Sequence, residues 1–289
     1  MDAGLHLCYF IIVGDNVSYV LEHLGNNLWR GRFTSFDEKI CQHGFAGRLG
    51  GVSSEPYKSL NLGLHVGDNP KDVWQNRQIF CQSLGLPATR LVTPEQIHGD
   101  RIVRVTEEDA GRGAKEYVEA IAGTDALITD VPNLPLFLCF ADCTPVVFLD
   151  PEKRAIGIAH AGWKGTVAGI AAKTVARMTA EFGCKPADII AGIGPAIGPC
   201  CYEVGAEVAA KFREAFPEDS EAVISSDNGR LHVNLWEANR RQLLQAGLKR
   251  DNIEMADTCT SCEHQWYFSY RADGGRTGRM AAIIALKGE

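Results

Sequence analysis

The sequence lacks the features that mark several protein classes. It has no apolar run of the roughly 20 residues needed to span a membrane, and the stretch at residues 7–13 has neither a basic n-region nor a cleavage site. Lys and Arg total 29 against 36 Asp and Glu, giving a formal net charge of −7 with no basic stripe among aromatic residues. We therefore expect neither membrane association nor a nucleic-acid polymer as partner.

Cysteine and linker residues are also too sparse to define the architecture. The chain has 10 cysteines among 289 residues, and its 45% hydrophobic content can build a core without disulfides. We predict reduced thiols in a cytoplasmic protein, where the sequon at residues 16–18 carries no weight. No repeat or linker divides the chain, so we predict an N-terminal extension over residues 1–30 and a single domain over 31–289. The polar stretches 106–124 and 217–230 are predicted loops.

Short apolar runs alternate with helical patterns along the chain. Strands are predicted over residues 101–105, 125–129, 136–141, 145–150, 154–160, 187–193 and 279–286. Helices are predicted after an Asn69 cap, after the Gly-Trp-Lys-Gly turn, and near 205–216 and 234–246. The turn at 151–154 is short enough for a hairpin, so the pattern indicates an α+β fold with a mixed sheet.

Three residues that could carry chemistry lie at the ends of apolar segments and beside turns: His98, Cys143 and His160. They would meet if neighbouring strands end at one edge of the sheet. One thiolate and two imidazoles suit zinc, and three protein ligands leave a fourth position for water or substrate. Asp142 would then orient a ligand histidine.

The spacing of these residues leaves other interpretations open. The gaps of 45 and 17 residues match no short zinc motif, and a histidine at a strand end is usually structural. Cys143 could instead be a nucleophile with His160 as its base. Activity that persists in a chelator would favour the nucleophile, and activity that is lost would favour the metal.

The remaining cysteine-rich stretches give weaker signals. Cys259 and Cys262 form one C-x-x-C without a second pair at zinc-finger spacing, and His264 follows them. The adjacent Cys200 and Cys201 are poorly suited to binding one metal together, although either could line a pocket. We interpret both stretches as ordinary cysteines.

Glycine-rich turns supply candidate substrate contacts. The "GWKGT" turn places Lys164 and backbone N–H groups at a helix start, a plausible anion site, but the order of a P-loop is absent. The segment "HGFAGRLGGVS" offers His43 and Arg48 on a predicted flexible loop. Taken singly, each of these loops is better explained by a structural role than by binding.

Taken together, eight segments resemble the YfiH-type family, long labelled laccase-domain or polyphenol oxidase proteins and later described as purine nucleoside phosphorylases. The matching segments are "HGFAGRLGGVS", "SLNLGLHVGD", "PEQIHGD", "GTDALIT", "ADCTPVVFLD", "IAHAGWKGT", "GPAIGPCCYEV" and "FSYRADGGRTGRMAAIIAL". They cover residues 42–287 in order.

The resemblance implies a layered α/β/β/α fold and a zinc site at His98, Cys143 and His160, with copper as the alternative metal. It also implies phosphorolysis of adenosine, inosine and methylthioadenosine, together with adenosine deamination. The expected partners are a purine nucleoside and phosphate, and a homodimer is left open.

The remaining candidate residues are polar groups in the matching segments. We expect Arg48 to clamp phosphate with its planar fork, with Lys164 as a weaker candidate. Asn61, Gln96 and His43 are candidates for binding the substrate, and Asp142 is the further catalytic candidate.

Three other functions stay open. A copper-dependent polyphenol oxidase is disfavoured because none of the eight histidines forms a His-x-His pair. A hydrolase that edits a peptidoglycan precursor could use the same zinc site. A non-enzymatic zinc-stabilised binding module would require a fourth protein ligand, for which His43 is the candidate.

Overall fold

The computed structural model describes residues 11–12 and 18–288. The strands are β1 (Ile11–Ile12), β2 (Tyr19–His23), β3 (Trp29–Phe33), β4 (Cys41–Ala46), β5 (Ile102–Arg104), β6 (Ala126–Thr129), β7 (Leu136–Phe140), β8 (Thr144–Asp150), β9 (Ala155–Ala161), β10 (Ile190–Ile193), β11 (Glu203–Val204), β12 (Ile224–Asp227), β13 (Arg230–Val233), β14 (Ile253–Met255) and β15 (Met280–Leu286). The α-helices are α1 (Pro70–Ser83), α2 (Trp163–Val167), α3 (Ile170–Phe182), α4 (Ala206–Ala215), α5 (Ser220–Val223) and α6 (Leu235–Gln245). Within the described ranges, every helix is too short or too polar to cross a bilayer.

Two six-stranded sheets form the centre of the fold. The first has the order β1-β2-β3-β4-β15-β7, and the second has the order β14-β10-β8-β9-β6-β5. The second sheet is mixed, because β5–β6 and β10–β14 are parallel while its other pairs are antiparallel. A separate three-stranded sheet has the order β11-β13-β12.

Alternating side chains of the central strands pack against two different layers. On β8, Val147 and Leu149 point into the core between the sheets, and Val146 and Phe148 pack on the helical side with α3 and α6. On β15, Ala282 and Ile284 likewise face the core between the sheets, whereas Ala281 and Ile283 lie in a cluster with Phe80 and Cys81 of α1. Strands covered on both faces need continuous apolar runs, which is what these segments have. The predicted α/β/β/α layering is confirmed.

Local signals predicted several elements correctly. The Asn69 side chain accepts a hydrogen bond from the Lys71 N–H at the start of α1, as expected of a cap. Strands β8 and β9 form the predicted antiparallel hairpin, with Pro145 opposite His160. The helices predicted near 205–216 and 234–246 are α4 and α6.

Other expectations need correction. The stretch 217–230 is not simply a loop, because it contains α5 and the strand β12, which pairs with β13. The helix after the Gly-Trp-Lys-Gly turn is split into α2 and α3 by Gly169, whose φ of 82° is left-handed. The predicted boundary at residue 30 falls inside β3, so the sheet begins before it. The apolar stretch 7–13, apart from the backbone of β1, lies outside the described residues, as do Asn16 and Val17 of the sequon.

His43 is a core residue, contrary to its predicted place on a loop. It lies in β4, its ring is 2% exposed, and its Nε2 accepts a 2.9 Å hydrogen bond from the Phe33 N–H. Phe36 packs against the ring, with 4.6 Å between centroids. Burial, with the nearby charges of Arg30 and Arg32, lowers the pKa of His43 to about 3. A ring enclosed in this way is available neither to a substrate nor as a fourth metal ligand.

We predict that His43→Leu destabilises the protein by about 1–3 kcal/mol at pH 7.5, because the Phe33 N–H loses its buried acceptor. The difference in unfolding free energy between the wild type and the variant should become smaller at lower pH. In the unfolded chain His43 has a pKa near 6.5 and binds a proton below that pH, whereas in the folded protein its pKa is about 3 and it stays neutral. Acid therefore stabilises the unfolded wild type and lowers its free energy of unfolding, an effect that the leucine variant lacks. At pH 5.5 the gap should be smaller by about 1 kcal/mol. Urea unfolding at both pH values measures it, and a gap that grows at pH 5.5 would contradict the assignment.

Candidate metal centre

The three predicted residues meet at one edge of the second sheet. His160 is the second-to-last residue of β9, and Cys143 immediately precedes β8, the partner of β9 in the hairpin. His98 comes from the loop before β5, with a left-handed φ of 62°. Their ligand atoms all lie within 4.8 Å of one another. The imidazole rings of His98 and His160 are 4.8 Å apart, centroid to centroid, at an interplanar angle of 73°.

A residue that the sequence did not single out, Asp125, organises this arrangement. It precedes β6 and is fully buried. Its Oδ1 is 2.8 Å from Nδ1 of His160 and accepts the His98 N–H at 2.9 Å. Its Oδ2 accepts the N–H groups of Ile97 and Gly99 at 3.2 and 2.7 Å. Because Nδ1 of His160 is engaged, its Nε2 is the ring nitrogen that can coordinate a metal, as in carboxylate–histidine–zinc triads.

The charges of the site favour a thiolate. Burial opposes ionisation of the Cys143 thiol, but His160 and His98 outweigh it and lower its pKa to about 6. Burial also disfavours protonated His160, yet Cys143 and Asp125 raise its pKa to about 9. The pair can therefore hold a thiolate and an imidazolium at neutral pH. A metal would replace the imidazolium proton and keep the thiolate.

Gly162 leaves the space in which the three ligands meet. A Cβ at this position would lie 3.0 Å from Sγ of Cys143 and 3.1 Å from Cδ2 of His98. Its φ of −67° is accessible to any residue, so the requirement for glycine is steric. Cys143 and His98 are therefore close-packed against the backbone of Gly162.

Asp142 has a different role from the one predicted. Its Oδ1 accepts a hydrogen bond from the Thr260 hydroxyl and its Oδ2 accepts the Arg271 N–H, both at 2.7 Å. It adopts a left-handed φ of 83° and is 9% exposed. Asp142 thus holds two distant loops beside Cys143, while Asp125 orients the ligand histidine.

The three residues open onto a cavity of about 460 Å³. This is within the range of small-molecule sites. Its other lining residues are mostly aromatic, aliphatic or cationic: His65, Gln96, Cys139, Ala141, Asp142, Trp163, Ile197, Tyr202, Leu235, Tyr270, Arg271 and Arg279.

Two arginines in this lining were missed by the sequence reasoning. The Arg271 guanidinium lies 5.5 Å from the Tyr202 ring centroid and donates to the carbonyls of Cys201 and Glu203. The Arg279 guanidinium lies 5.8 Å from the Tyr270 ring centroid, and its Nη1 donates to nearby carbonyls. Each guanidinium has five N–H donors, so donors remain for a ligand. Both residues belong to the segment "FSYRADGGRTGRM", whose basic residues beside glycines were a usable signal.

The two predicted phosphate contacts lie elsewhere. Arg48 does not line the cavity, because its Nη1 donates to the His264 carbonyl at 2.7 Å and its guanidinium sits 4.7 Å from the Phe268 ring centroid. Lys164 is exposed on α2, with its Nζ 5.7 Å from the Trp163 ring centroid, and does not line the cavity either. The expected phosphate clamp at Arg48 is therefore not supported by its geometry.

Asn61 and Gln96 are engaged by backbone. Asn61 is fully buried outside the cavity, and its Oδ1 accepts the Arg279 N–H at 2.8 Å, so it supports an arginine of the site. Gln96 does line the cavity, but its amide exchanges two 2.8 Å hydrogen bonds with the backbone of Cys139. A substrate could therefore bond only to the donor and acceptor positions of the Gln96 amide that the Cys139 backbone does not use.

We predict that Gly162→Ala lowers the amount of zinc that the protein retains after incubation with zinc, because the added methyl group displaces Cys143 or His98. Its φ is ordinary, so the far-ultraviolet circular dichroism spectrum should not change. Gly205→Ala is the matched control, because that glycine also precedes a helix and a Cβ there would contact nothing within 4 Å. Equal zinc content in the two variants would show that Gly162 does not shape the site.

We predict that Asp125→Asn weakens zinc binding by about 10–100-fold, the usual effect of removing the partner of a ligand histidine. The new amide NH₂ would face backbone N–H groups that now donate to a carboxylate. Competition with a chromogenic chelator measures the dissociation constant. Asp130→Asn is the control because Asp130 is an exposed partner of Arg104.

Several proteins of similar sequence are named purine nucleoside phosphorylases. Purine nucleoside phosphorylase YlmD of Geobacillus stearothermophilus is 44% identical over 247 residues, which are 85% of this chain and 90% of that protein. Purine nucleoside phosphorylase YfiH of Escherichia coli K12 is 38% identical over 239 residues, which are 83% of this chain and 91% of that protein.

The fold agrees with these similarities. The crystal structure of YlmD from Geobacillus stearothermophilus superimposes with a TM-score of 0.88 at 40% identity, covering 93% of this chain and 99% of that one. The family model described as multi-copper polyphenol oxidoreductase laccase matches residues 42–287. The chain therefore belongs to this laccase-like family, which includes YfiH and YlmD.

Proposed function

We propose that the protein is a zinc-dependent purine nucleoside phosphorylase that acts on adenosine, inosine and methylthioadenosine and also deaminates adenosine. The observation that carries the proposal is the convergence of His98, Cys143 and His160 at a cavity with arginine and aromatic walls. The names of the relatives support an enzyme of this class.

The donor set fits zinc. A thiolate and two imidazoles are donors that zinc prefers, and Asp125 fixes the coordinating nitrogen of one of them. Among the described residues this group has three protein ligands, and His43, the predicted fourth, is enclosed in the core. Three ligands with an open position favour a catalytic centre over a closed structural one. When bound, zinc would supply a Lewis acid and a water of lowered pKa, the nucleophile that hydrolytic deamination at purine C6 needs.

The arginines are the candidates for binding phosphate. Phosphorolysis requires a phosphate oxygen to approach the ribose C1′ while the C–N bond to the purine breaks. Arg271 and Arg279 line the cavity and are braced by carbonyl groups, so free N–H donors can hold phosphate without large movement. Their positive charges also stabilise the phosphate charge in a site partly closed to water.

The aromatic walls suit the purine base. Trp163, Tyr202 and Tyr270 line the same cavity, and Tyr270 is 53% exposed at its edge. A purine ring stacked on these side chains would bury its apolar faces and leave its edge atoms to polar groups such as Gln96. The cavity thus offers aromatic rings for the base and, next to them, arginines for phosphate, beside the three candidate ligands.

An oxidase function is less well supported, despite the copper in the family description. A trinuclear copper cluster needs many histidines, and the described residues form two groups that could hold a metal, neither with more than two histidines. A single copper bound to the three ligands remains the alternative metal.

Product analysis tests the proposal directly. Zinc-loaded protein incubated with inosine should give hypoxanthine and ribose 1-phosphate only when phosphate is present. Adenosine without phosphate should give inosine by deamination. A peptidoglycan-precursor peptide forms a third arm, and turnover of that substrate alone would replace the proposed function with editing. Phosphorolysis that persists in apo-protein with a chelator would instead favour a Cys143 nucleophile with His160 as its base.

We predict that Arg271→Lys raises the KM for phosphate about 10–100-fold, because a lysine keeps the charge but loses the planar fork. The KM for inosine should change less. Arg48→Lys should leave the phosphate KM unchanged, because that guanidinium contacts the His264 carbonyl and the Phe268 ring outside the cavity. The reverse pattern would restore Arg48 as the phosphate clamp.

A further inference from the structure

Four cysteines form a second cluster outside the three-ligand site. Cys200 and Cys201 lie in the turn before β11, and Cys259 and Cys262 lie in the loop after β14. All four sulfurs lie within 4.8 Å of one another. Sγ of Cys262 is 3.5 Å from Sγ of Cys200 and 3.4 Å from Sγ of Cys201. Sulfurs from segments about 60 residues apart thus converge on one point.

We propose that these four cysteines bind a structural zinc ion as a tetrathiolate, separate from the candidate catalytic centre. Zinc bound by four thiolates at about 2.3 Å in a tetrahedron places the sulfurs about 3.8 Å from one another. The two separations from Cys262, 3.4 and 3.5 Å, are slightly shorter than that value, and all four sulfurs lie within 4.8 Å of one another, so small side-chain shifts would reach the tetrahedron. Four soft thiolates and a closed tetrahedron are typical of structural zinc sites.

The backbone around Cys259 is built to support a thiolate. Its Sγ accepts the N–H groups of Gly198 and Cys262 at 3.2 and 3.5 Å. A neutral thiol is a weak acceptor, so two N–H groups directed at one sulfur favour its charged form. A Cβ on Gly198 would lie 3.1 Å from Cβ of Cys259 and 3.2 Å from Sγ of Cys200, so glycine lets the two loops approach.

The cluster differs from the other cysteines of the described chain. Cys41, Cys81 and Cys184 are buried in the core and belong to no group of candidate metal ligands. Cys200 and Cys262 are exposed, so a metal ion can reach the cluster from solvent.

The structure brings together two stretches that the sequence analysis interpreted separately as ordinary cysteines. The turn at 198–201, closed by the Cys201 N–H to the Gly198 carbonyl at 3.0 Å, brings the sulfurs of adjacent cysteines to one side.

A zinc ion at this position would hold one wall of the cavity in place. Tyr202 follows the cysteine pair directly and lines the cavity, and the Cys201 carbonyl accepts a hydrogen bond from Arg271. Thr260, inside the C-x-x-C, donates to Asp142 beside Cys143. The proposed ion therefore has a structural role that reaches the substrate cavity without contributing a catalytic ligand.

Zinc stoichiometry tests the proposal. Protein purified under reducing conditions with zinc, then desalted, should carry two zinc ions per chain by mass spectrometry of the metal. Cys262→Ser should carry one, because Cys262 is exposed and its change should not prevent folding. Cys143→Ala should also carry one, and Cys184→Ala, a buried cysteine outside both groups, should keep two.

The Cys143→Ala variant also isolates the cluster. Its remaining zinc should be released by a mercurial thiol reagent, and cobalt in its place should give intense thiolate-to-cobalt charge-transfer absorption. This arm does not depend on the folding of Cys262→Ser.

Two results would overturn the proposal. One is a single zinc in the wild type and none in Cys143→Ala. The other is a disulfide between Cys262 and either Cys200 or Cys201 in intact protein that was purified under reducing conditions. If the three-ligand site binds no zinc, so that the proposed function fails, the result is different. The wild type should then carry one zinc ion, and Cys262→Ser should carry none.

Discussion

The site depends on one buried carboxylate. Asp125 has no exposed surface, yet its two oxygens take part in three backbone hydrogen bonds and one contact with an imidazole. A buried charge is tolerated only when its hydrogen bonds are satisfied, and here they come from the loop that carries His98 and from His160. Because Asp125 immediately precedes β6, these hydrogen bonds tie the loop to the second sheet. The three-ligand geometry is thus set by the sheet before any metal binds.

Strand register is the second constraint. Pairing of β8 with β9 puts Pro145 opposite His160, which brings Cys143 and His160 to the same end of the hairpin. A slip of one residue would turn His160 to the opposite face of the sheet. Both faces of β8 and β9 are buried, so such a slip would also mismatch two apolar layers. Burial of both faces therefore fixes the register that places Cys143 and His160 side by side.

This explains what the sequence could and could not predict. Apolar runs, cap residues and turns are local signals, and they predicted a mixed-sheet α+β fold, the hairpin and the three residues that meet at its end. The α/β/β/α layering was predicted by the family resemblance. The errors concern contacts between distant segments. Nothing near Asp125 indicates that its carboxylate reaches residues 97–99, and nothing near Arg48 indicates that its guanidinium faces Phe268. His43 looked like a loop residue because its enclosing phenylalanines lie in other segments.

Asp142 connects the features that the sequence left separate. Its left-handed backbone turns the chain between β7 and β8, and its carboxylate accepts hydrogen bonds from Thr260 and from the Arg271 backbone. The residue before Cys143 is therefore bonded to the loop of the cysteine cluster and to the loop that carries a cavity arginine. Movement of either loop would shift Asp142 through one hydrogen bond, and with it the adjacent Cys143. The C-x-x-C of the cysteine cluster is thus joined to the candidate metal centre through the hydrogen bond from Thr260 to Asp142, although the two groups share no ligand.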